Sequence, residues 1–312
     1  RDTVLPRLGN EILSQLLDAA VLDTTPPGRL AMTIDSYVVQ PWRFPGGDIG
    51  RLAVCGTVND LAVCGAMPVG LALGLIITEG FARRDLHTVL DSIRAAADEA
   101  EVNIITGDTK VIDRQSGDGI FITTAGLGVV PAGMHVAPRR VEPGDILLIN
   151  GPIGEHGVAV MLEREMPEIE SVLTTDAAPL NGLIADLYAS IGDDLVFMRD
   201  ATRGGLAGVV ADLAAGTGLH ITVNETAVPV RREAQHAADM LGLDPLDVAN
   251  EGKVVAVVRA GAAAAALRAM RDHAHGRDAA IIGSVAAPAH GDAVAELLTA
   301  IGGRRIVQKP YG

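Results

Sequence analysis

Aromatic residues are scarce in this 312-residue chain: four Phe, three Tyr and one Trp make up 3% of it. A core must therefore be assembled from Ala, Val, Leu and Ile, and these carry the hydrophobic share to 48% against 21% charged. That balance belongs to a folding chain and not to a disordered one. Cysteine is almost missing, with Cys55 and Cys64 alone, which excludes a disulfide framework. If "IGRLAVCGTVNDLAVCGAMP" is a helix, their nine-residue spacing at about 100° per residue sets them on opposite faces. They read as small core hydrophobes in a reducing, cytoplasmic compartment. Positive charge is also short, and the net charge of −14 argues against non-specific nucleic-acid binding while leaving a nucleotide ligand open. No apolar run approaches the roughly 18 residues of a membrane span. The opening "RDTVLPRLGN" lacks the apolar core of a signal peptide. Walker, protein-kinase and G-x-S-x-G motifs are all missing. The histidines are scattered, His156 among them at an expected helix start, so a His-rich zinc site is not expected.

What is present is an alternation of β-branched runs and helical periodicity. Residues 29–39, 68–78, 103–112 and 119–130 read as strands, 49–66 as a buried Ala/Val-rich helix, and 83–102 as an amphipathic one. At 139–157 a Pro-Gly turn, a strand and a glycine-rich turn make a fresh start, so a domain boundary is expected near 138–145, giving domains 1–140 and 141–312. In the second, helices are expected near 156–164, 178–190, 204–216 and 230–241, with strands at "HITVNE", "KVVAVV" and "AAIIGSV". The order is not strictly βαβ. An α/β (α+β) architecture with mixed sheets and helices packed on one side fits better than a doubly wound parallel sheet.

Several polar residues stand in apolar surroundings, and they gather the chemistry. "TIDS" (33–36) places Asp35 in a strand. "TVNDLAVCGAMP" (57–68) places Asn59 and Asp60 in a nearly all-apolar helix, where a carboxylate is costly unless paired or bound to a cation. "TGDTK" (106–110), which follows the apolar "NII", offers backbone N–H groups, Asp108 and Lys110 to a phosphate. "RDATRGG" (199–205) sets Asp200 and Arg203 beside two glycines before a helix, and "ANEGK" (249–253) leads into a strand with Glu251 and Lys253. Taken singly, an acid after a strand is most often a turn or cap residue, and Glu251 reads equally as a plain turn. Taken together, the acids, Lys110 and the glycine loops suit a Mg²⁺–nucleotide site, because Mg²⁺ takes oxygen ligands and Lys complements phosphate.

These stretches, in this order, resemble the HypE family of hydrogenase maturation proteins: 44–68, "ITGDTKV", "GPIGEHG", "APLNGL", "RDATRGGLA", "VANEGKVVAVV", "GRDAAIIGSV" and "GGRRIV". The likeness covers essentially the whole chain. More distantly it extends to aminoimidazole ribonucleotide synthetase, selenophosphate synthetase and thiamin-phosphate kinase. The resemblance implies a two-domain PurM-like fold whose N-terminal domains pair in a homodimer, with ATP in a cleft near that interface. It implies ATP-dependent dehydration of a carboxamide, carried on a C-terminal cysteine, to the thiocyanate that supplies cyanide to the iron of [NiFe] hydrogenase. Its implied partners are a HypF-like carbamoyltransferase and a HypC–HypD-like iron-carrying scaffold.

By motif, Asp35, Asp60 and Asp200, joined by Asp18 of "LLDAAVL", are the expected Mg²⁺ ligands. Gly107, Asp108 and Thr109 are expected on the nucleotide, and Lys110 on the phosphates or the developing oxyanion. Glu251 is the expected base, Asn59 the residue that orients a ligand, and Arg203 either neutralises phosphate or serves the helix N-terminus. The family begins with a glycine-rich segment and ends in Pro-Arg-Ile-Cys, whereas no cysteine follows Cys64 here. The expectation is the body of a longer protein, with Gln308–Gly312 as the root of a flexible tail. Competing readings are another ATP-using enzyme of the superfamily acting on a small substrate, and a non-catalytic ATP-binding scaffold.

Overall fold

A computed structural model describes residues 3–17, 19–23, 25–117, 119–288 and 293–309. The chain separates into two compact units, Arg1–Ala132 with Ala177–Asn181, and Gly133–Asp176 with Gly182–Gly312.

In the first unit four strands form one mixed sheet: β1 (Arg29–Tyr37), β2 (Met67–Thr78), β3 (Ile104–Ile112) and β4 (Ile120–Val130), in the order β1-β4-β2-β3. Only β2 and β3 run parallel, joined through helix α2 (Arg83–Glu99), whose buried stripe is Val89, Leu90, Ile93, Ala96 and Ala97. Helix α1 (Ile49–Val63) is buried on nearly every side, as its apolar composition requires. Asp48 caps it, accepting the N–H groups of Gly50 and Arg51 at 2.8 and 3.0 Å. Close seating of α1 on the sheet depends on Gly126, where a Cβ would stand 2.8 Å from Thr57 Cγ2 and 2.9 Å from Leu61 Cδ1. Cys55 lies in this core, but Cys64 does not: it ends the helix with its side chain exposed, because the chain must turn into β2 there.

The second unit is built on a seven-stranded sheet. Its strands are β5 (Ile146–Ile149), β6 (Leu195–Asp200), β7 (His220–Asn224), β8 (Val254–Val258), β9 (Ala280–Ala286), β10 (Ala295–Leu298) and β11 (Arg304–Val307), in the order β11-β10-β7-β9-β5-β8-β6. Only β10 and β7 run parallel. Around it lie α3 (Glu155–Glu165), α4 (Asn181–Ile191), α5 (Gly205–Thr217), α6 (Arg232–Leu241) and α7 (Ala263–Asp272). Leu206, Val210 and Leu213 of helix α5 belong to one core cluster with Val255, Val257 and Ile149. The opposite parity of β8 (Val254, Ala256 and Val258) is fully buried as well, so that strand has no solvent face. The turn into α5 requires glycine. Gly205 has φ +59°, and a Cβ there would stand 2.5 Å from the carbonyls of both Leu246 and Val248. Elements β6, β10 and α7 were not anticipated. Among the described residues no helix is long and apolar enough to cross a membrane.

Candidate active site

The alternation of β1 turns Thr33, Asp35 and Tyr37 toward α1. They share rows with Gly126, Thr124 and Ile122 of β4, and the Thr124 hydroxyl donates to the Ala53 carbonyl inside α1 at 3.1 Å. Asp60, near the end of α1, accepts the Thr33 hydroxyl at 2.8 Å. Burial pushes the Asp60 carboxyl above its ordinary range; the Thr33 hydrogen bond opposes this and the charge of Asp35 adds to it. Asp35 itself is exposed, and its Oδ1 accepts the N–H of Ser36 at 2.8 Å. A half-buried carboxylate with a second acid beside it is a site whose charge a cation would relieve. Among the described residues no group of three or more His, Cys, Asp or Glu could hold a metal on its own. Two acids nevertheless fit Mg²⁺, which is typically held by one or two carboxylates together with substrate phosphates. Asp18 lies outside the described residues.

Asp108 and Lys110 occupy the other face of the same sheet. Asp108 shares a row with Gly74, Thr123 and Ser36, one step from the row of Asp35 and Thr124. The strand expected over 103–112 is observed as Ile104–Ile112, and "TGDTK", also grouped with the loops that follow apolar strands, is the middle of this edge strand, paired with β2 along its length. Lys110 Nζ meets Asp108 Oδ2 at 2.8 Å, both side chains being largely exposed. The lysine's hydrogen bond, followed by the Thr109 N–H at 2.8 Å, holds the Asp108 carboxyl below its usual range. An exposed pair of this kind contributes little to stability, so Lys110 can exchange partners readily.

Asn59, expected to orient a ligand, engages the protein's own backbone. Its Nδ2 donates to the Ala178 carbonyl at 3.0 Å and its Oδ1 accepts the Leu180 N–H at 2.7 Å. Both ends of the amide thus fasten the segment Ala177–Asn181 into the first unit. Arg51 Nε adds a bond to the Ala177 carbonyl at 2.7 Å, and Asn181 Nδ2 one to the Ala100 carbonyl at 2.9 Å.

In the second unit Asp200 ends β6, and Arg203 is exposed just before Gly204, the N-cap of α5. Glu251 sits half-buried in the turn between Asn250 and β8. That turn is held from several directions. Asn250 Oδ1 accepts the Gly154 N–H at 2.7 Å, and Asn150 takes the Gly252 carbonyl at 3.0 Å and the Val254 N–H at 2.7 Å. Asp176, which sequence reasoning passed over, accepts the N–H groups of Glu251 and Gly252 at 3.1 and 3.3 Å. Lys253 Nζ lies 2.7 Å from the same carboxylate and 3.7 Å from Glu155 Oε2, and Arg231 Nε reaches Glu155 Oε1 at 2.7 Å. Burial would raise Asp176, but the Lys253 charge and hydrogen bond outweigh it and hold the carboxyl low. The available signals were an acid inside the apolar "VLTTDAAPL" and a lysine entering a fully buried strand.

Family models fit both halves of the chain: AIR synthase related protein, N-terminal domain over residues 17–130, and AIR synthase related protein, C-terminal domain over 142–296. Carbamoyl dehydratase HypE of Azotobacter vinelandii is 47% identical over 300 residues, covering 96% of this chain and 87% of that protein. The chain is a member of the HypE family. The fold agrees with that of HypE solved in complex with ATP, at TM-score 0.95 and 41% identity, covering 100% of this chain and 93% of the other. HypE in a complex with HypF is matched at TM-score 0.86 and 43% identity, over 99% and 98% of the two chains.

Proposed function

We propose that this HypE-family chain is an ATP-dependent carbamoyl dehydratase of hydrogenase maturation. It would convert a protein-bound S-carboxamide to a thiocyanate that supplies cyanide to the iron of [NiFe] hydrogenase. The observation that carries the reading is the full-length likeness to HypE solved with ATP. The chemistry follows from the amide. Its oxygen is a poor leaving group until it takes a phosphoryl group from the co-substrate ATP. Loss of phosphate with both nitrogen protons then leaves C≡N.

The residues divide by task. Asp35, Asp60 and Asp200, with Asp18, would hold Mg²⁺, which neutralises phosphate charge when bound. Gly107, Asp108 and Thr109 would contact the nucleotide. Lys110 would leave Asp108 for the phosphates or the developing oxyanion, a change that the weakness of an exposed pair makes easy. Arg203 is exposed, as phosphate neutralisation or a helix-terminal role would each require. Glu251 would take a proton from the amide nitrogen, on a turn whose backbone is pinned by Asp176 and Asn150.

Residues 1–140 would serve nucleotide binding and dimerisation, and 141–312 would form a C-terminal domain ending in the tail root. Leu30, Met32 and Ile34 expose an apolar stripe on the β1 face away from α1, at 70%, 76% and 67%, and this supports a homodimer through the first domain. The proposed partners are a HypF-like carbamoyltransferase and a HypC–HypD-like scaffold, and the proposed compartment is the cytoplasm. The test supplies ATP to the protein bearing a carbamoylated cysteine tail and follows its intact mass. Loss of one water by the parent, and its absence in Glu251→Gln with Mg-ATP binding retained, is the expected result. An unchanged parent mass refutes the reading.

A further inference from the structure

Glu251 stands half-buried in the turn that leads into β8, and the backbone of that turn is held from several sides. Two buried asparagines hold the chain on either side of it, Asn250 through the Gly154 N–H and Asn150 through the Gly252 carbonyl and the Val254 N–H. Neither accepts a bond from Glu251 or Gly252 N–H. Those two consecutive donors converge on the carboxylate of Asp176, at 3.1 and 3.3 Å. The Asp176 side chain is only 3% exposed, and Lys253 Nζ, 2.7 Å away, is its charge partner. A carboxylate so far from water survives only when its oxygens are engaged. Here two of its engagements are the peptide N–H groups on either side of the Glu251 carbonyl carbon. Fixing both peptide planes fixes the direction of the Glu251 Cα–Cβ bond.

We infer that Asp176 is the positioning residue for the catalytic Glu251: its buried carboxylate clamps the 251–252 backbone and thereby aims the base, with Lys253 balancing its charge. The inference rests on the proposed role of Glu251 as base and adds to it the group that holds the base in register. An Asn at 176 turns an NH₂ toward a backbone donor and so opens the clamp. A displacement of the base by about 1 Å is enough to cost roughly 10²-fold in rate.

The experiment compares the parent, Asp176→Asn, Asp176→Asn/Lys253→Met and Glu251→Gln. Each carries a carbamoylated cysteine tail, and kcat, KM for ATP and the Mg-ATP thermal shift are measured. Asp176→Asn should lower kcat roughly 10²-fold, with KM and the thermal shift unchanged. It also takes from Lys253 its nearer charge partner and leaves Glu155 at 3.7 Å, a loss of stability that the double variant cures by removing both buried charges. Regained stability in the double variant with kcat still depressed supports the clamp. Recovery of kcat along with stability overturns it, because charge balance alone would then explain the loss. So does a loss confined to KM. A parent-like Asp176→Asn beside an inactive Glu251→Gln sinks the clamp and spares the base. A fully active Glu251→Gln removes the base, and the clamp with it.

Discussion

Acidification from about pH 7 to about pH 5 should loosen the second unit through one residue, His156. The imidazole is 6% exposed on the first turn of α3, with Nδ1 2.8 Å from the Thr175 hydroxyl. Burial lowers its pKa from 6.5 to about 4, against a smaller upward pull from Asp176. Above 6.5 both folded and unfolded chains hold it neutral, and it contributes nothing to the pH dependence. Below 6.5 the unfolded chain gains a proton that the folded one refuses, so stability falls as pH falls, until the folded site also titrates near 4. With 1.36 kcal/mol per pKa unit the full loss is about 3 kcal/mol, of which about 2 kcal/mol has gone by pH 5. Asp176, held below its ordinary 3.8, gives up its own contribution only at still lower pH. Glu155, raised chiefly by burial, works in the opposite sense. Comparison with His156→Gln removes both from the account. Hydrogen exchange at the buried amides of β8, corrected for intrinsic rates, reports the opening free energy of this unit by itself. The parent should lose about 2 kcal/mol more than the variant between the two pH values. Parallel losses in the two proteins would refute the assignment.

Asp60→Asn keeps an acceptor for Thr33 and removes a charge that burial and Asp35 disfavour. A carboxyl raised in this way contributes stability when protonated and loses it as pH rises through its folded pKa, so at neutral pH the variant should melt no lower than the parent. The Mg-ATP stabilisation, about 2.7 kcal/mol at a hundredfold excess over Kd for the parent, should shrink in the variant. A lower melting temperature with the full shift retained in differential scanning fluorimetry would contradict this. Asn59→Ala leaves the Leu180 N–H and the Ala178 carbonyl without their buried partner and should cost about 2–4 kcal/mol in urea unfolding of the first unit. Exchange protection at the Leu180 amide should collapse, and its persistence would show that the segment is held by other means.

Strands with clean alternation or unbroken β-branched runs were legible because their pattern is local. Residues 29–37, 67–78 and 120–130 pair much as their periodicity suggests. Residues 103–112 also read correctly as a strand, although Gly, Asp and Thr in "TGDTK" are turn-forming types that pull toward a loop. Parallel pairing with β2 overrides that preference, and Gly107 permits it: a Cβ there would stand 2.5 Å from the Leu73 carbonyl. Strand β6 was hidden for a related reason. Its four apolar residues end in Arg199 and Asp200, which read as the start of a loop, yet both are paired along β8.

Asn59 and Asp60 show why the site was only partly legible. Each announces itself in the same way, as a polar group in an apolar helix that must find a partner. The rule gives no hint of what the partner is. Asn59 finds the backbone at Ala178 and Leu180, some 120 residues on, in a segment whose sequence carries no mark of that contact. Asp60 finds the Thr33 hydroxyl and a second acid, Asp35, whose charge opposes its own. Asp176 and Glu251 repeat the contrast 75 positions apart: one acid is consumed by backbone N–H groups and a lysine, the other carries the proposed chemistry. Cost of burial therefore locates the residues that matter. Only the inventory of their partners separates the clamps, whose needs the protein itself meets, from the ligands, whose needs a substrate or cation must meet.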